Sequence, residues 1–174
     1  MSEVVVAVLL VFLGVLAVVA VWAADLLLAA IALSVYSFVM ALTWAALGAG
    51  DVSFTETVVG AGATTVFFLA ALLRTSRRRS PAPGRFRWVA LAVVAAVGAL
   101  LIDATTDLPP FGDPASPPSV HVSPRYLERT REETRTPNAV TAVVADYRGY
   151  DTLIETVVIF TGGLAGWLLL ARQR

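Results

Sequence analysis

Five long apolar runs constrain this chain more than any other feature of its sequence. The runs are Val4–Trp22, Leu26–Leu47, Thr55–Leu73, Val89–Ile102 and Leu153–Ala171. A helix of about 20 apolar residues crosses the hydrocarbon core of a bilayer, and only a helix satisfies the backbone groups of such a segment there. The sequence therefore predicts an all-α, multi-pass membrane protein with about five transmembrane helices.

Composition excludes several classes of function. Hydrophobic residues make up 57% of the 174 residues and charged residues 15%, whereas soluble domains have about 45–50% and about 25%. The basic and acidic residues balance at 13 each, which argues against nucleic acid as a partner. With no cysteine and a single histidine, the chain lacks the usual ligands for zinc or an iron–sulfur cluster. We expect no metal or cofactor, and no nucleophile–base pair indicates an enzyme.

The arginines predict the orientation in the cell membrane. Six of them follow the third run: Arg74, Arg77, Arg78, Arg79, Arg85 and Arg87. By the positive-inside rule this loop lies in the cytoplasm, so the N-terminus lies outside. With five spans, Arg172 and Arg174 also fall inside. The alternative interpretation of the cluster is a site for nucleic acid or lipid headgroups.

The first run lacks a basic start and a clean cleavage site, so we interpret it as a retained helix rather than a signal peptide.

The segment between the fourth and fifth runs is polar and should lie outside the cell. Six of the nine prolines fall in its first half: Pro109, Pro110, Pro114, Pro117, Pro118 and Pro124. They predict that this half is not helical. Residues 126–135 predict a short helical turn. Residues 137–149 are apolar but too few to span the bilayer, and they predict one short interfacial helix.

Two of the spans begin with the same pattern, [ST]-x-x-E-T-V-V, which starts at Ser53 and again at Thr152. Glu56 and Glu155 are the acids of the two copies. A carboxylate within an apolar run costs a few kcal/mol by insertion scales and usually marks an ion or proton path. The alternative is a capping box, in which the Glu bonds back to the N-cap residue of the helix. Small residues follow each Glu and predict close helix packing: Gly60, Gly62, Gly162 and Gly163.

Four further charged residues are candidates for an ion path. Asp25 lies between the first two runs and is either the N-cap of the second helix or a buried acid. Asp146, Arg148 and Asp151 form a dense polar cluster before the fifth run, where Arg148 can pair with either acid. A structural, ion-paired corner is the alternative for this cluster.

The sequence also resembles a known group of membrane complexes. Asp51-Val52-Ser53-Phe54-Thr55-Glu56-Thr57-Val58-Val59-Gly60-Ala61-Gly62 resembles the D-type domain of membrane-bound hydrogenases, which recurs in the C-terminal part of the large A subunit of Mrp-type cation/proton antiporters. Residues 88–171 resemble the E-type domain that follows it, through Asp146-Tyr147-Arg148-Gly149-Tyr150-Asp151-Thr152. One departure is Ile154, where the family has a glycine.

The resemblance implies a division of the chain. Residues 1–75 would form a three-helix D-like domain, 76–87 an arginine-rich cytoplasmic linker, and 88–174 a two-helix E-like domain with an extracytoplasmic loop at 103–137. The antiporter-like core of the family, with its membrane lysine, is absent, and the chain contains no lysine.

The resemblance therefore implies an accessory subunit that helps form the path for Na⁺ and H⁺ beside larger membrane subunits. The alternatives are a purely structural scaffold and the equivalent subunit of a hydrogenase-type complex.

Overall fold

The structure, a computed structural model, describes residues 3–78 and 84–171, without the side chains of residues 84–87 and 170. The helices are α1 (Glu3–Trp22), α2 (Leu26–Ala46), α3 (Gly50–Thr55), the π-helical segment π1 (Glu56–Ala63), α4 (Thr64–Leu72), α5 (Gly84–Thr105), α6 (Pro117–Val120), α7 (Ser123–Thr134), α8 (Ala139–Ala142), the π-helical segment π2 (Val143–Tyr147) and α9 (Gly149–Ala171). Within these described residues, five helical stretches are long and apolar enough to cross a membrane. The predicted all-α, five-span architecture is confirmed.

The turn between α2 and α3 explains where the third span begins. Gly48 has a φ of +82°, a left-handed conformation that glycine adopts without a Cβ penalty. The N–H of Ala49 donates to Trp44 O at 2.9 Å and that of Gly48 to Ala45 O at 3.1 Å, the two bonds of a Schellman motif. The chain then starts a new helix at Gly50, five residues before the predicted start of the run.

Asp25 caps α2, as one of its two interpretations predicted. Its Oδ1 accepts a hydrogen bond from the Leu27 N–H at 2.8 Å, and its Oδ2 pairs with an Arg77 guanidinium nitrogen at 3.2 Å. The Leu26 N–H donates to Arg77 O at 2.8 Å. These bonds join the α1–α2 turn to the segment that follows α4, so both lie at the same end of the bundle.

The chain divides into two compact units, Met1–Val93 and Val94–Arg174. In the first unit α2 is the central helix and contacts α1, α3, π1 and α4. Small side chains on α2 recur at a spacing of three and four residues: Ala30, Ser34, Ser37 and Ala41. Because helices without large side chains can approach closely, this pattern favours tight packing within the membrane.

The second unit corrects two of the predictions for the polar segment. Pro117 and Pro118 begin α6, a single helical turn, although prolines were expected to exclude a helix there. Proline is tolerated in the first turn because the N–H it lacks would have no partner there anyway. Residues 126–134 belong to a longer helix than the predicted turn, since α7 covers Ser123–Thr134 and Arg135 is its C-cap residue. The short helix predicted over 137–149 corresponds to α8 and π2.

Several of the arginines that predict the orientation lie beyond the part of the chain that the structure describes. Arg79, Arg172 and Arg174 lie outside the described residues, as do the side chains of Arg85 and Arg87. The orientation of the chain in the membrane therefore stays a prediction.

We expect the N-terminus outside and the arginine-rich loop inside, because basic loops are retained in the cytoplasm. The chain contains no cysteine, so single introduced cysteines report without background. In whole cells, Arg78→Cys should resist an impermeant thiol reagent added outside, and Ser116→Cys should react. Reaction of Arg78→Cys together with protection of Ser116→Cys would show that the chain has the opposite topology.

Candidate functional site

Glu56 lies within the third span rather than at its start. The span runs from Gly50 to Leu72, so Glu56 is about 9 Å along the helix axis from its first residue. The N-cap of α3 is Ala49, and the Ser53 N–H already donates to Ala49 O at 2.9 Å within the helix. The capping-box interpretation of Ser53 and Glu56 is therefore wrong.

The capping box is also wrong in the second copy. The helix α9 begins at Gly149, so Thr152 is inside it and is not the N-cap. The Thr152 hydroxyl donates instead to Val144 O at 2.7 Å, which connects the start of α9 to π2. In both copies the helix starts upstream of the Ser or Thr, and capping does not account for either carboxylate.

The side chain of Glu56 folds back over Gly60 and against α2. A methyl group added at Gly60 would clash with Glu56 Oε1 and would lie 2.9 Å from Ser37 Oγ, closer than the 3.0 Å that real Cβ atoms keep. Glu56 is half-buried and Ser37 is buried, with 9% of its surface exposed. The missing side chain at Gly60 thus leaves the space that a carboxylate oxygen and a hydroxyl occupy together. We call Glu56, Ser37 and Gly60 the carboxylate site.

The backbone around the carboxylate site is π-helical. Residues Glu56–Ala63 form π1, in which the Thr64 N–H bonds to Val59 O, five residues back. The Ser34 hydroxyl of α2 donates to Ala61 O at 3.1 Å. A π-helical turn within an α-helix disturbs the regular backbone ladder and is frequent at functional sites. Two serines of α2 therefore meet π1, one at its backbone and one beside its carboxylate.

Glu155 has different surroundings from Glu56 despite the shared sequence pattern. Glu155 is exposed on α9, and no residue of the Gly149–Leu169 span is buried by the chain itself. A methyl group added at Gly162 or Gly163 would meet no atom within 4 Å. At Gly62 it would make only an ordinary contact, 3.5 Å from Thr57 O.

The predicted polar cluster before α9 is brought together in part. Arg148 Nε donates to Asp151 Oδ2 at 2.7 Å, and the same carboxylate oxygen lies 2.7 Å from a terminal guanidinium nitrogen. Asp146 is exposed on π2 and has no ion pair within the described part of the chain. Of the two possible partners of Arg148, the structure selects Asp151.

A second polar contact, between α7 and π2, was not predicted. Tyr147 OH donates to Glu133 Oε2 at 2.5 Å, and the rings of Tyr147 and Tyr126 lie 4.9 Å apart between centroids. Arg125 lies 3.9 Å from the other oxygen of Glu133. The hydrogen bond to the Glu133 carboxylate raises the pKa of Tyr147, because it favours the protonated phenol.

Sequence reasoning missed Ser37 and Ser34. Both are polar residues in a predicted span, three positions apart, on the helix face that also carries Ala30 and Ala41. That spacing marks a face of α2 suited to close packing. It does not reveal which helix packs there, and the contact with π1 depends on the fold.

Comparison with known proteins supports the resemblance seen in the sequence. Residues 11–77 match the MbhD family model, which describes the D subunit of MBH, the membrane-bound hydrogenase. The matched stretch is 67 of the 174 residues and contains the whole carboxylate site.

A solved structure extends the similarity beyond the stretch that matches the MbhD model. The chain is similar to a chain in the structure of the Mrp complex from Dietzia sp. DQ12-45-1b, with 29% sequence identity and a TM-score of 0.82. The match covers 96% of this chain and 18% of that one, so this chain spans about a fifth of the length of its relative. No curated protein matches the chain.

The Tyr147–Glu133 bond predicts a pH dependence of the contact between α7 and π2. A raised pKa in the folded state means that this contact stabilises the fold below the ordinary tyrosine value of 10.0 and that the stabilisation is lost as the pH rises through the folded pKa. Glu133→Gln should lower the pKa of Tyr147 towards 10.0, because the charged acceptor is gone. The pKa of Tyr147 is measured by the ultraviolet absorbance of tyrosinate during a pH titration, with the Tyr147→Phe spectrum subtracted. Glu132→Gln is the matched control, and an equal shift in both variants would refute the assignment.

Proposed function

We propose that the chain is an accessory membrane subunit of an Mrp-type Na⁺/H⁺ antiporter or a related energy-converting complex. It would help form the ion-translocation path beside larger membrane subunits. The observation that carries this proposal is a half-buried carboxylate, Glu56, in the third span of the chain and within the stretch that matches the MbhD family model. The similarity to a chain of the Dietzia Mrp complex supports the same class of assembly.

The surroundings of Glu56 favour an ion-handling role over an architectural one. A carboxylate within a transmembrane helix is costly and is usually retained for an ion or proton path. Glu56 caps no helix end and forms no ion pair within the described residues. Its carboxylate oxygen and the Ser37 hydroxyl lie beside the same glycine, Gly60, and a hydroxyl can both donate and accept a hydrogen bond. Such a pair can pass a proton or contribute oxygen ligands to a cation.

The remaining candidates take different places in the proposal. Asp25 is a helix cap and the partner of Arg77, so we propose a structural role for it at the end of the bundle. Asp146, Arg148 and Asp151 would contribute to the path from the second unit, together with Glu155. The exposed faces of α5 and α9 support partner subunits, because no residue of their spans is buried within the chain itself.

Neutralising the carboxylates separates ion transport from a scaffold role. In the assembled complex, Glu56→Gln and Glu155→Gln should leave assembly intact and impair cation/proton exchange, with Glu56→Gln the more severe. We expect a loss of about tenfold or more for Glu56→Gln, since a positioned proton-transferring side chain typically contributes about 10²–10⁴-fold to a rate. Exchange is measured as the loss of a preformed pH gradient across inverted membrane vesicles after Na⁺ is added.

Glu128→Gln is the matched control, because it makes the same change on the exposed surface of α7. It should exchange ions at the parental rate. If both span variants also do so while the complex assembles, the chain is a scaffold subunit.

A further inference from the structure

An apolar groove runs along the α2–α4 pair at the end where Arg77 lies. The groove has a volume of about 410 Å³, and its lining includes Leu27, Val66, Leu69, Ala70, Leu73 and Arg77. Its part on α4 covers two helical turns, about 10 Å of the span. The walls are almost wholly apolar, and among the described residues that line them the only charged group is the Arg77 guanidinium.

Three arginines follow α4 at this end of the span, and one of them, Arg77, lines the groove. Arg74, Arg77 and Arg78 follow α4 within six residues, and all three are exposed. Arg77 uses one guanidinium nitrogen on Asp25, while 57% of its side chain stays accessible. Within the described part of the chain, Arg74 and Arg78 have no carboxylate partner. Among the described residues, these three arginines against Asp25 leave two net positive charges at this end of the span.

We propose that this groove binds an anionic phospholipid. One acyl chain would lie along Val66, Leu69 and Ala70, and the phosphate would meet the arginines at the end of the span. Guanidinium groups bind phosphate through paired hydrogen bonds, and basic pockets between transmembrane helices bind anionic headgroups.

Two features favour an anionic phospholipid over a partner helix or a zwitterionic lipid in this groove. A transmembrane helix of a partner needs a contact face along most of a span, whereas this groove covers only its last two turns before the arginines. A zwitterionic lipid adds an ammonium group, which the two net positive charges repel. An anionic lipid matches both the length of the groove and the charge at its end.

The test uses the full chain reconstituted with any subunits that copurify with it. The vesicles contain phosphatidylcholine together with a photoreactive phosphatidylglycerol or, in parallel, a photoreactive phosphatidylcholine. Labelling by the phosphatidylglycerol should map to Val66–Leu73 and exceed labelling by the phosphatidylcholine. Arg74→Gln/Arg78→Gln should lower the affinity for the anionic lipid by about 10–30-fold, since each arginine near an anionic surface contributes a factor of about five. This double variant leaves the Asp25–Arg77 pair intact, so the fold of the turn is retained.

Matched variants separate the two parts of the site. Ala70→Phe fills the groove and should lower labelling by both lipids, whereas Ala92→Phe, an exposed position on α5, should not. Arg129→Gln/Arg131→Gln removes the same charge from the exposed surface of α7 and should leave labelling unchanged. Equal labelling by the two lipids in the parental chain would overturn the proposal. So would a photoreactive side chain at Leu69 that crosslinks to another polypeptide instead of to lipid.

Discussion

The absence of water in the bilayer core governs how this chain is built. Each backbone N–H and C=O in a span needs a partner within the protein, which explains why all five spans are helical. The π-helical segment in the third span departs from the regular ladder, and the Ser34 hydroxyl of α2 supplies a hydrogen bond to Ala61 O. Small residues in π1, such as Gly60, allow α2 to approach closely enough for this contact. The close packing of α2 on π1 therefore also provides a hydrogen-bond partner for a backbone carbonyl of π1.

The carboxylate site depends on the same close approach. Gly60 has no side chain, and the space beside it is occupied by Glu56 Oε1 and Ser37 Oγ. Glu155 follows the same sequence pattern but lies exposed on α9, so the pattern alone does not set the environment of the carboxylate. In an assembly, Glu155 would acquire its environment from other subunits, whereas the environment of Glu56 is partly built by the chain itself.

Much of the fold was predictable from the sequence because insertion in lipid is determined largely by the hydrophobicity of each run. Glu56 was found as a candidate because a charge stands out in an apolar run. The capping boxes failed because a local pattern does not locate the helix start, and the Gly48 turn begins α3 upstream of Ser53. Ser37 and the π-helical segment could not be predicted, since both take their meaning from the packing of α2 on π1. The Tyr147–Glu133 bond likewise joins residues 14 apart in sequence through a fold-dependent turn.

The most direct test of the account changes the position of the Glu56 carboxylate without removing its charge. A methyl group at Gly60 clashes with that carboxylate, whereas one at Gly62 makes only an ordinary contact 3.5 Å from Thr57 O. Cation/proton exchange should therefore fall by about tenfold or more in Gly60→Ala, because misplacing a functional group by ~1 Å can cost about 10²-fold. Gly62→Ala should retain the parental rate. Equal exchange rates in the two variants, with both complexes fully assembled, would contradict a role for the placement of Glu56 against Ser37.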